Sequence, residues 1–440
     1  MEKKLASPSQ IRSLYAWYVV VVLMIAYISS FIDRQILSLL VEDIQRDMKI
    51  NDFQISLLMG ISFALFYTLL GLPIGRLADR YSRRNIIMVG VFVWSLMTAA
   101  CGVVRTYFQF FLARVGVGVG EAALSPAAYP LIADYFPPHR LATALSVYSM
   151  GIYIGSGLAF LVGGRVAAWA AQIGDITVPG VGEIFSWQLV FFLVGLPGLL
   201  IVLLMLTVRE PVRGGYLGGG PKPPLPLAEA RAYFRKEWRM VVFHNFGFAF
   251  QTMATYASGY WTPTFLMRVL GWDIQKVGDV YGLVVIVFAT SGIVAGGQMA
   301  DFLRKRGKHY GRQTVMITGM LLTALFGLLL PVLANNTNVV FLLIPMVFFS
   351  SFGVGTATAV VQEVNPPQLR SLASAIFLFI VNILGMGVGP TLVAIFTEYV
   401  FQDKAMVGYS LALVGIICLS AGSWFIYLSR RAYRQALTQL

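Results

Sequence analysis

Charged residues are scarce in this chain: Asp, Glu, Lys and Arg make up 12% of the 440 residues, whereas hydrophobic residues make up 58%. A soluble globular domain carries about twice that share of charge, so the composition excludes an ordinary water-soluble fold. Cysteine is nearly absent as well. Cys101 and Cys418 are the only two, and both fall in long apolar runs, so no disulfide framework is expected.

Histidine and nucleotide-binding loops are also lacking. The three histidines are His139, His244 and His309, and none stands at metal-ligand spacing from another. A membrane-embedded enzyme would need metal ligands or a nucleophile with its base, and no G-x-x-x-x-G-K-[ST] loop is present to bind nucleotide phosphates. We therefore expect neither enzymatic activity nor nucleotide-driven pumping, and we expect no metal or other cofactor.

Long apolar runs, in contrast, fill most of the chain. A hydrocarbon core of roughly 30 Å needs about 20 mostly apolar residues per helix. The first run follows a basic start but no small-residue cleavage site, so we interpret it as an uncleaved helix. The sequence predicts twelve membrane-spanning helices, here called spans 1 to 12, near residues 15–41, 54–76, 85–104, 107–134, 140–168, 187–208, 238–266, 278–300, 313–334, 339–362, 370–398 and 407–429.

The net charge of +13 has an uneven distribution along the chain. Most Lys and Arg fall in segments that share one side of the membrane if both termini are cytoplasmic, which is the usual positive-inside bias. The basic character therefore reports orientation, and nucleic-acid binding is not expected. We expect an integral membrane protein of a bacterial inner (plasma) membrane with both termini in the cytoplasm.

One long polar segment, from Arg209 to Arg239, divides the spans six and six. Its Gly/Pro-rich core is typical of a flexible tether, and Leu227 to Arg239 fits a short amphipathic helix on the membrane surface. The sequence thus predicts an N-terminal six-helix bundle over 1–208, a cytoplasmic linker over 209–237 and a C-terminal six-helix bundle over 238–440.

The two halves share a motif. "GRLADRYSRR" follows span 2 and "GQMADFLRKR" follows span 8. Glycine permits close helix approach, the aspartate can sit at a helix N-terminus, and the basic residues can hold the inner leaflet. A plain basic loop would not need this repeated spacing, so we predict a conformational latch. Its residues are Gly75, Asp79, Arg83 and Arg84 in the first half and Gly297, Asp301 and Lys305 in the second.

Four charged residues interrupt the apolar runs of spans 1 and 4: Asp33, Arg34, Arg114 and Glu121. Arg114 and Glu121 lie on one helix face, and Gly118 between them leaves room for a side chain from another helix. Because span 1 runs outward and span 4 runs inward, Asp33 and Arg114 lie at similar depths, while Glu121 lies near the midplane. A polar stripe on span 1 suggests that Arg34 faces a wet cavity.

These four charges favour function over architecture. Buried ion pairs stabilise poorly because desolvation offsets their attraction, and ionisable residues in a membrane are functional by default. We predict that Asp33 and Glu121 are the proton-coupling sites. Arg34 and Arg114 would alternately neutralise these carboxylates or hold an anionic head group of the substrate.

These stretches carry a family resemblance. "GRLADRYSRRNI" resembles the loop signature of the major facilitator superfamily, although Ser82 stands where that signature has glycine. "FIDRQILSLLVEDIQ" from Phe31, "ARVGVGVGEAALSPAAYPLIADYF" from Ala113 and "GSGLAFLVGG" from Gly155 are similar to its Spinster branch. The resemblance implies an all-α membrane protein with two pseudo-symmetric six-helix bundles that alternate access. It also implies lysophospholipid or sphingolipid substrates, commonly with proton coupling.

The second half lacks matching charges. Span 7 mixes polar residues such as Asn245 and Gln251 with aromatic ones such as Tyr256 and Tyr260, and we interpret most of these rings as helix-packing or lipid-facing. A charged half opposite an apolar half suits an anion with an apolar tail. The sequence therefore predicts a monomeric, proton-coupled secondary transporter of an amphiphilic, lipid-like anion, surrounded by membrane lipids. A multidrug or organic-acid carrier of the same superfamily is the alternative.

Overall fold

The computed structural model describes residues 8–179, 182–211, 227–308, 310–366 and 368–439, and these fold almost entirely into helices. The first half also contains a short antiparallel hairpin in which Ile176 pairs with Ile184. Its elements are α1 (Pro8–Gln35), α2 (Val41–Met48), α3 (Asp52–Met59), α4 (Ile61–Arg80), α5 (Arg83–Ala100), α6 (Tyr107–Glu121), α7 (Leu124–Tyr135), α8 (Pro138–Ile173), β1 (Ile176–Val178), β2 (Gly182–Ile184), α9 (Ser186–Gly195) and α10 (Gly198–Thr207), with 3-10 turns at Ile36–Leu39 and Cys101–Val103.

The second half is helical throughout its described residues. Three of its segments are π-helical, and π-helical turns often mark functional positions. The elements are α11 (Leu227–Lys236), α12 (Trp238–Arg268), α13 (Ile274–Val284), α14 (Thr290–Lys305), α15 (Gly311–Leu333), α16 (Val339–Phe352), α17 (Val354–Val364), α18 (Arg370–Asn382), α19 (Gly389–Ile395) and α20 (Val407–Gln439), with π-helices at Val285–Ala289, Ile383–Val388 and Phe396–Phe401 and a 3-10 turn at Lys404–Met406.

The helices match the predicted spans. In the described part of the chain, 11 helical segments are long and apolar enough to cross a bilayer. The twelfth predicted span corresponds to α12, a continuous helix of 31 residues in which His244, Asn245 and Gln251 are buried. The fold is the expected all-α membrane architecture of twelve spans in two bundles. We call the side where α1 begins and α20 ends the terminal face, and the other side the opposite face.

The segment between the halves is described only in part. Residues 212–226, the Gly/Pro-rich portion of the predicted linker, lie outside the described residues. The expected short helix is α11, and its Tyr233 hydroxyl donates a hydrogen bond to the backbone oxygen of Val364 at 3.0 Å. Burial raises the pKa of Tyr233 to about 12, so this donor stays protonated at neutral pH. The bounds 1–208, 209–237 and 238–440 for the first bundle, the linker and the second bundle stay a prediction.

Span 2 is broken where the halves meet. It consists of α3 and α4, which join at Gly60. A Cβ atom on Gly60 would lie 2.7 Å from the backbone oxygen of Met386 and 3.0 Å from that of Gly387. The missing side chain thus lets span 2 touch the π-helical part of span 11 backbone to backbone.

Candidate functional site: a buried charge cluster between spans 1 and 4

Arg34 and Glu121 form a buried ion pair inside the first half. Nη2 and Nε of Arg34 lie 2.6 Å and 2.7 Å from the same carboxylate oxygen of Glu121, and the Ser30 hydroxyl donates to that oxygen too. Both charged residues are at most 4% exposed. Span 1 thus supplies the cation and span 4 the anion. The wet cavity expected beside Arg34 stays a prediction, and in this conformation Arg34 faces Glu121.

Three aromatic rings surround the Arg34 guanidinium, and we call them the Arg34 cage. Its central carbon lies 4.7 Å from the ring centre of Phe31, 4.6 Å from that of Phe63 and 4.7 Å from that of Tyr67. Cation–π contacts of this kind contribute about 0.5–2 kcal/mol each, with the higher values in desolvated sites. The cage therefore holds the guanidinium in place independently of Glu121. Sequence reasoning missed it, because nothing in the pattern of span 2 shows which of its rings face span 1.

Asp33 and Arg114 meet, but not through their charges. Nη1 of Arg114 donates to the backbone oxygen of Asp33 at 3.2 Å, and Nε donates to the backbone oxygen of Leu58 at 3.4 Å. Both Asp33 carboxylate oxygens are buried without a hydrogen-bond partner among the described residues. Thr98, Arg114 and Glu121 are the neighbours of this carboxylate. The equal depth expected for Asp33 and Arg114 is observed, yet the carboxylate itself stays unpaired.

Gly118 does not leave an opening for a side chain, contrary to the sequence expectation. A Cβ atom on Gly118 would lie 2.7 Å from the backbone oxygen of Phe63, so the backbone of α4 already occupies that space. The physical reason is that glycine permits direct backbone contact between helices. This contact places Phe63 of the Arg34 cage beside the stripe formed by Arg114 and Glu121.

The first predicted latch is ordered around Arg83. Its side chain forms an ion pair with Asp134 and donates to the backbone oxygen of Pro130 at 3.2 Å. Ser82, in the position where the family signature has glycine, caps α5 by accepting a hydrogen bond from the backbone N–H of Asn85. The hydroxyl of Ser82 also donates to Glu210 at 2.8 Å. Serine is therefore accommodated in this turn by the hydrogen bonds of its hydroxyl group.

The other predicted latch residues of the first half make fewer side-chain contacts. The backbone N–H of Arg84 donates to Glu210 at 3.0 Å, while the Asp79 side chain lies outside the described part. A Cβ atom on Gly75 would meet only Pro126, at 3.7 Å. The close helix approach expected at this glycine is therefore not present in this conformation.

In the second half the ion pair is shifted by one residue. The sequence spacing predicted Lys305 as the basic latch residue, but Arg304 is the residue that pairs with Glu363. The reason is helical phase, since neighbouring residues diverge by about 100° and only one of them can face α17. Asp301 is exposed, and a Cβ atom on Gly297 would meet nothing within 4 Å. Whether these residues act as a latch stays a prediction.

Ion pairs also join the two halves at the opposite face. Arg268, at the end of α12, contacts Asp52 at 2.9 Å and Glu42 at 2.7 Å. Arg165 of α8 contacts Asp279 of α13 at 2.9 Å. We call Arg268, Glu42 and Asp52 the opposite-face seal. The sequence analysis did not predict the seal.

Spans 5 and 8 close the same face by direct packing. A Cβ atom on Gly278 would lie 2.4 Å from the backbone oxygen of Phe160, and one on Gly164 would lie 3.0 Å from the Cα of Gly278. Such backbone contact leaves no space for a substrate between these helices. This conformation is thus closed at the opposite face.

Comparison with known proteins agrees with this architecture. Residues 23–308 match the family model described as Major Facilitator Superfamily. The chain is 27% identical to an "MFS-type efflux pump" of Mycolicibacterium smegmatis, over 96% of this chain and 95% of that protein. It is also 27% identical to a "Probable L-galactonate transporter" of Escherichia coli, over 76% of this chain and 73% of that protein.

A solved structure extends the comparison. A bacterial homolog of the human lysosomal transporter Spinster, in an inward-facing and unoccupied conformation, shares 27% identity with a TM-score of 0.75, over 99% of this chain and 98% of that one. The resemblance to the Spinster family expected from the sequence is confirmed.

Proposed function

Since this chain belongs to the major facilitator superfamily, we propose that it is a proton-coupled secondary transporter that moves an amphiphilic anion by alternating access. The observation that carries the proposal is the buried cluster of two arginines and two carboxylates between spans 1 and 4. An unpaired charge in this setting costs several kcal/mol. A proton, an arginine or a bound anion must therefore balance each carboxylate and each guanidinium at every step.

Glu121 and Asp33 are the proposed protonation sites. Protonation of Glu121 removes the anion that holds two nitrogens of Arg34, which frees the guanidinium for an anionic substrate. Asp33 is buried without a hydrogen-bond partner among the described residues, so a proton relieves the cost of burying its charge. Proton binding and anion binding are then linked through Arg34, and each changes the affinity for the other. Arg114 would stay a fixed positive charge beside Asp33.

The opposite-face seal supports alternating access. With the halves locked together at Arg268 and Asp52, substrate exchange in this conformation would take place from the terminal face. The positive-inside bias argues that the terminal face is cytoplasmic, and the conformation would then be inward-facing. The Arg83–Asp134 and Arg304–Glu363 pairs at the terminal face lie within their own halves and would leave the bundles free to separate there.

The aromatic surroundings of Arg34 favour an amphiphile. Phe31, Phe63 and Tyr67 border the cation, and such walls suit an anionic head group that continues into an apolar body. A relative named as an L-galactonate transporter keeps an organic acid as the second candidate, because a guanidinium binds any carboxylate. A multidrug carrier is a third, given the relative named as an efflux pump. We further propose a monomer in a bacterial inner membrane, working without a cofactor.

Transport by purified protein in proteoliposomes tests this proposal. Uptake of lysophosphatidate and of L-galactonate would be measured with and without an imposed pH gradient. We expect gradient-driven uptake of lysophosphatidate, lost in Asp33→Asn and in Glu121→Gln. The control is Glu183→Gln, which changes an exposed carboxylate on β2 and should transport normally. Unchanged gradient-driven uptake in both variants would refute the protonation sites, and uptake of galactonate alone would refute the substrate class.

A further inference from the structure

One side chain of the second half reaches the charge cluster of the first. Tyr256 projects from α12, packs on the buried cluster that contains Phe31 and Phe63, and is a neighbour of the Arg34 guanidinium. Arg34 contacts Glu121 through Nε and Nη2, so its neighbours from the first half and from the second half meet at one guanidinium.

The packing of Tyr256 also places it at the junction of the halves. It packs against the buried cluster that contains Phe31 and Phe63 of the Arg34 cage. It also packs against the larger cluster that contains the buried apolar residues of α12. Gln35 makes a second link nearby, because its Nε2 lies 3.5 Å from where a Cβ atom on Gly259 would stand. Span 7 thus lies against span 1 beside Arg34.

We propose that Tyr256 is a specificity-determining residue, whose hydroxyl binds the anionic group of a substrate held on Arg34. This inference rests on the proposed role of Arg34 and adds the second half's contribution to the site. When the substrate anion replaces Glu121 on the guanidinium, the Tyr256 hydroxyl lies at the edge of the same group and donates to it. The ring of Tyr256, with the Arg34 cage, then borders the apolar body that follows the head group.

The proposal explains how the second half senses a bound anion without a charge of its own. A hydroxyl donor can exchange an arginine for an oxyanion as its partner, because it carries both a donor and an acceptor. Hydrogen bonds to charged groups contribute more than those between neutral groups. The substrate would thus bridge Arg34 in one half and Tyr256 in the other, which is the contact that bundle closure requires.

Tyr256→Phe tests this inference, because it removes the hydroxyl and keeps the ring. Tyr260→Phe is the matched control: Tyr260 lies one turn further along α12, its ring centre is 6.2 Å from that of Tyr256, and its buried hydroxyl has no hydrogen-bond partner among the described residues. Binding to the purified protein would be measured by ligand-induced thermal stabilisation. The probes are lysophosphatidate, the uncharged monoacylglycerol with the same chain, and L-galactonate.

We expect Tyr256→Phe to weaken binding of the anion about tenfold and to leave monoacylglycerol binding within twofold. In transport, KM for the anion should rise while the maximal rate stays unchanged. Equal weakening in Tyr256→Phe and Tyr260→Phe, or equal weakening for charged and uncharged amphiphiles, would overturn the inference. Binding of galactonate in place of lysophosphatidate would overturn only the proposed substrate class. The role of Tyr256 would then be judged from the effect of Tyr256→Phe on galactonate binding. A wild-type protein that binds neither anion would overturn both.

Discussion

Breaking the opposite-face seal should shift the conformational equilibrium strongly. In Arg268→Ala, Asp52 would lose a partner that contacts it at 2.9 Å, although its side chain is 0% exposed. Removing one member of a buried ion pair costs about 3–5 kcal/mol. Gln45 still donates to Asp52 at 2.7 Å, which argues for the lower value. Because Asp52 becomes solvated when the halves separate, about 3 kcal/mol is lost from the closed form only, and opening should become about 10²-fold more favourable.

Hydrogen–deuterium exchange measured by mass spectrometry can detect this shift. We expect faster exchange in the segments around residues 48–52 and 398–406 in Arg268→Ala, without a matching increase at the terminal face. Arg46→Ala is the control, since Arg46 is 64% exposed on the same face and its ion pair should contribute less than about 1 kcal/mol. Adding Asp52→Asn to Arg268→Ala should reverse most of the effect by neutralising the stranded carboxylate. Equal exchange in Arg268→Ala and Arg46→Ala would refute the reasoning.

Two further substitutions test packing and charge elsewhere. Gly278→Ala places a Cβ atom 2.4 Å from the backbone oxygen of Phe160, so hydrogen–deuterium exchange at the opposite face should rise and uptake should slow several-fold. The control is Gly415→Ala, where a Cβ atom meets nothing within 4 Å, and it should change neither quantity. Similar behaviour of the two variants would contradict the packing argument. Glu363→Gln leaves two arginines without their shared carboxylate and should lower stability by about 2 kcal/mol, measured by thermal unfolding in detergent. The exposed Glu229→Gln is its control, and equal melting temperatures would show that the ion pairs contribute nothing.

Hydrophobic run length was enough to predict the fold. Eleven of the twelve spans are long and apolar enough to be recognised by composition alone, because a bilayer sets the length of every helix that crosses it. Span 7 is the twelfth, and it was also predicted, although it contains polar residues that are buried in the protein. The breaks inside spans could not be predicted. Gly60 interrupts span 2 because of its contact with Met386, and that contact depends on how the two halves pack.

The four charges of the site were identifiable from the cost of placing them in hydrocarbon, but their pairing was not. Depth along the helices brings Asp33 near Arg114, yet rotation about the helix axes decides that Arg34 meets Glu121. Tyr256 illustrates a stricter limit. Its position among other aromatic residues of span 7 gave no reason to separate it from packing residues, since its partner comes from the other half of the chain.

The aromatic rings around Arg34 also determine whether its positive charge crosses the bilayer during transport. A cation held by Phe31, Phe63 and Tyr67 moves with its own bundle and does not cross the bilayer with the cargo. In the proposed cycle, the charge moved across the membrane is then the charge of the cargo plus that of the protons carried with it. A monoanion carried with one proton would be silent in an electrical recording. A dianion carried with one proton would feel the membrane voltage, at about 2.3 kcal/mol per 100 mV.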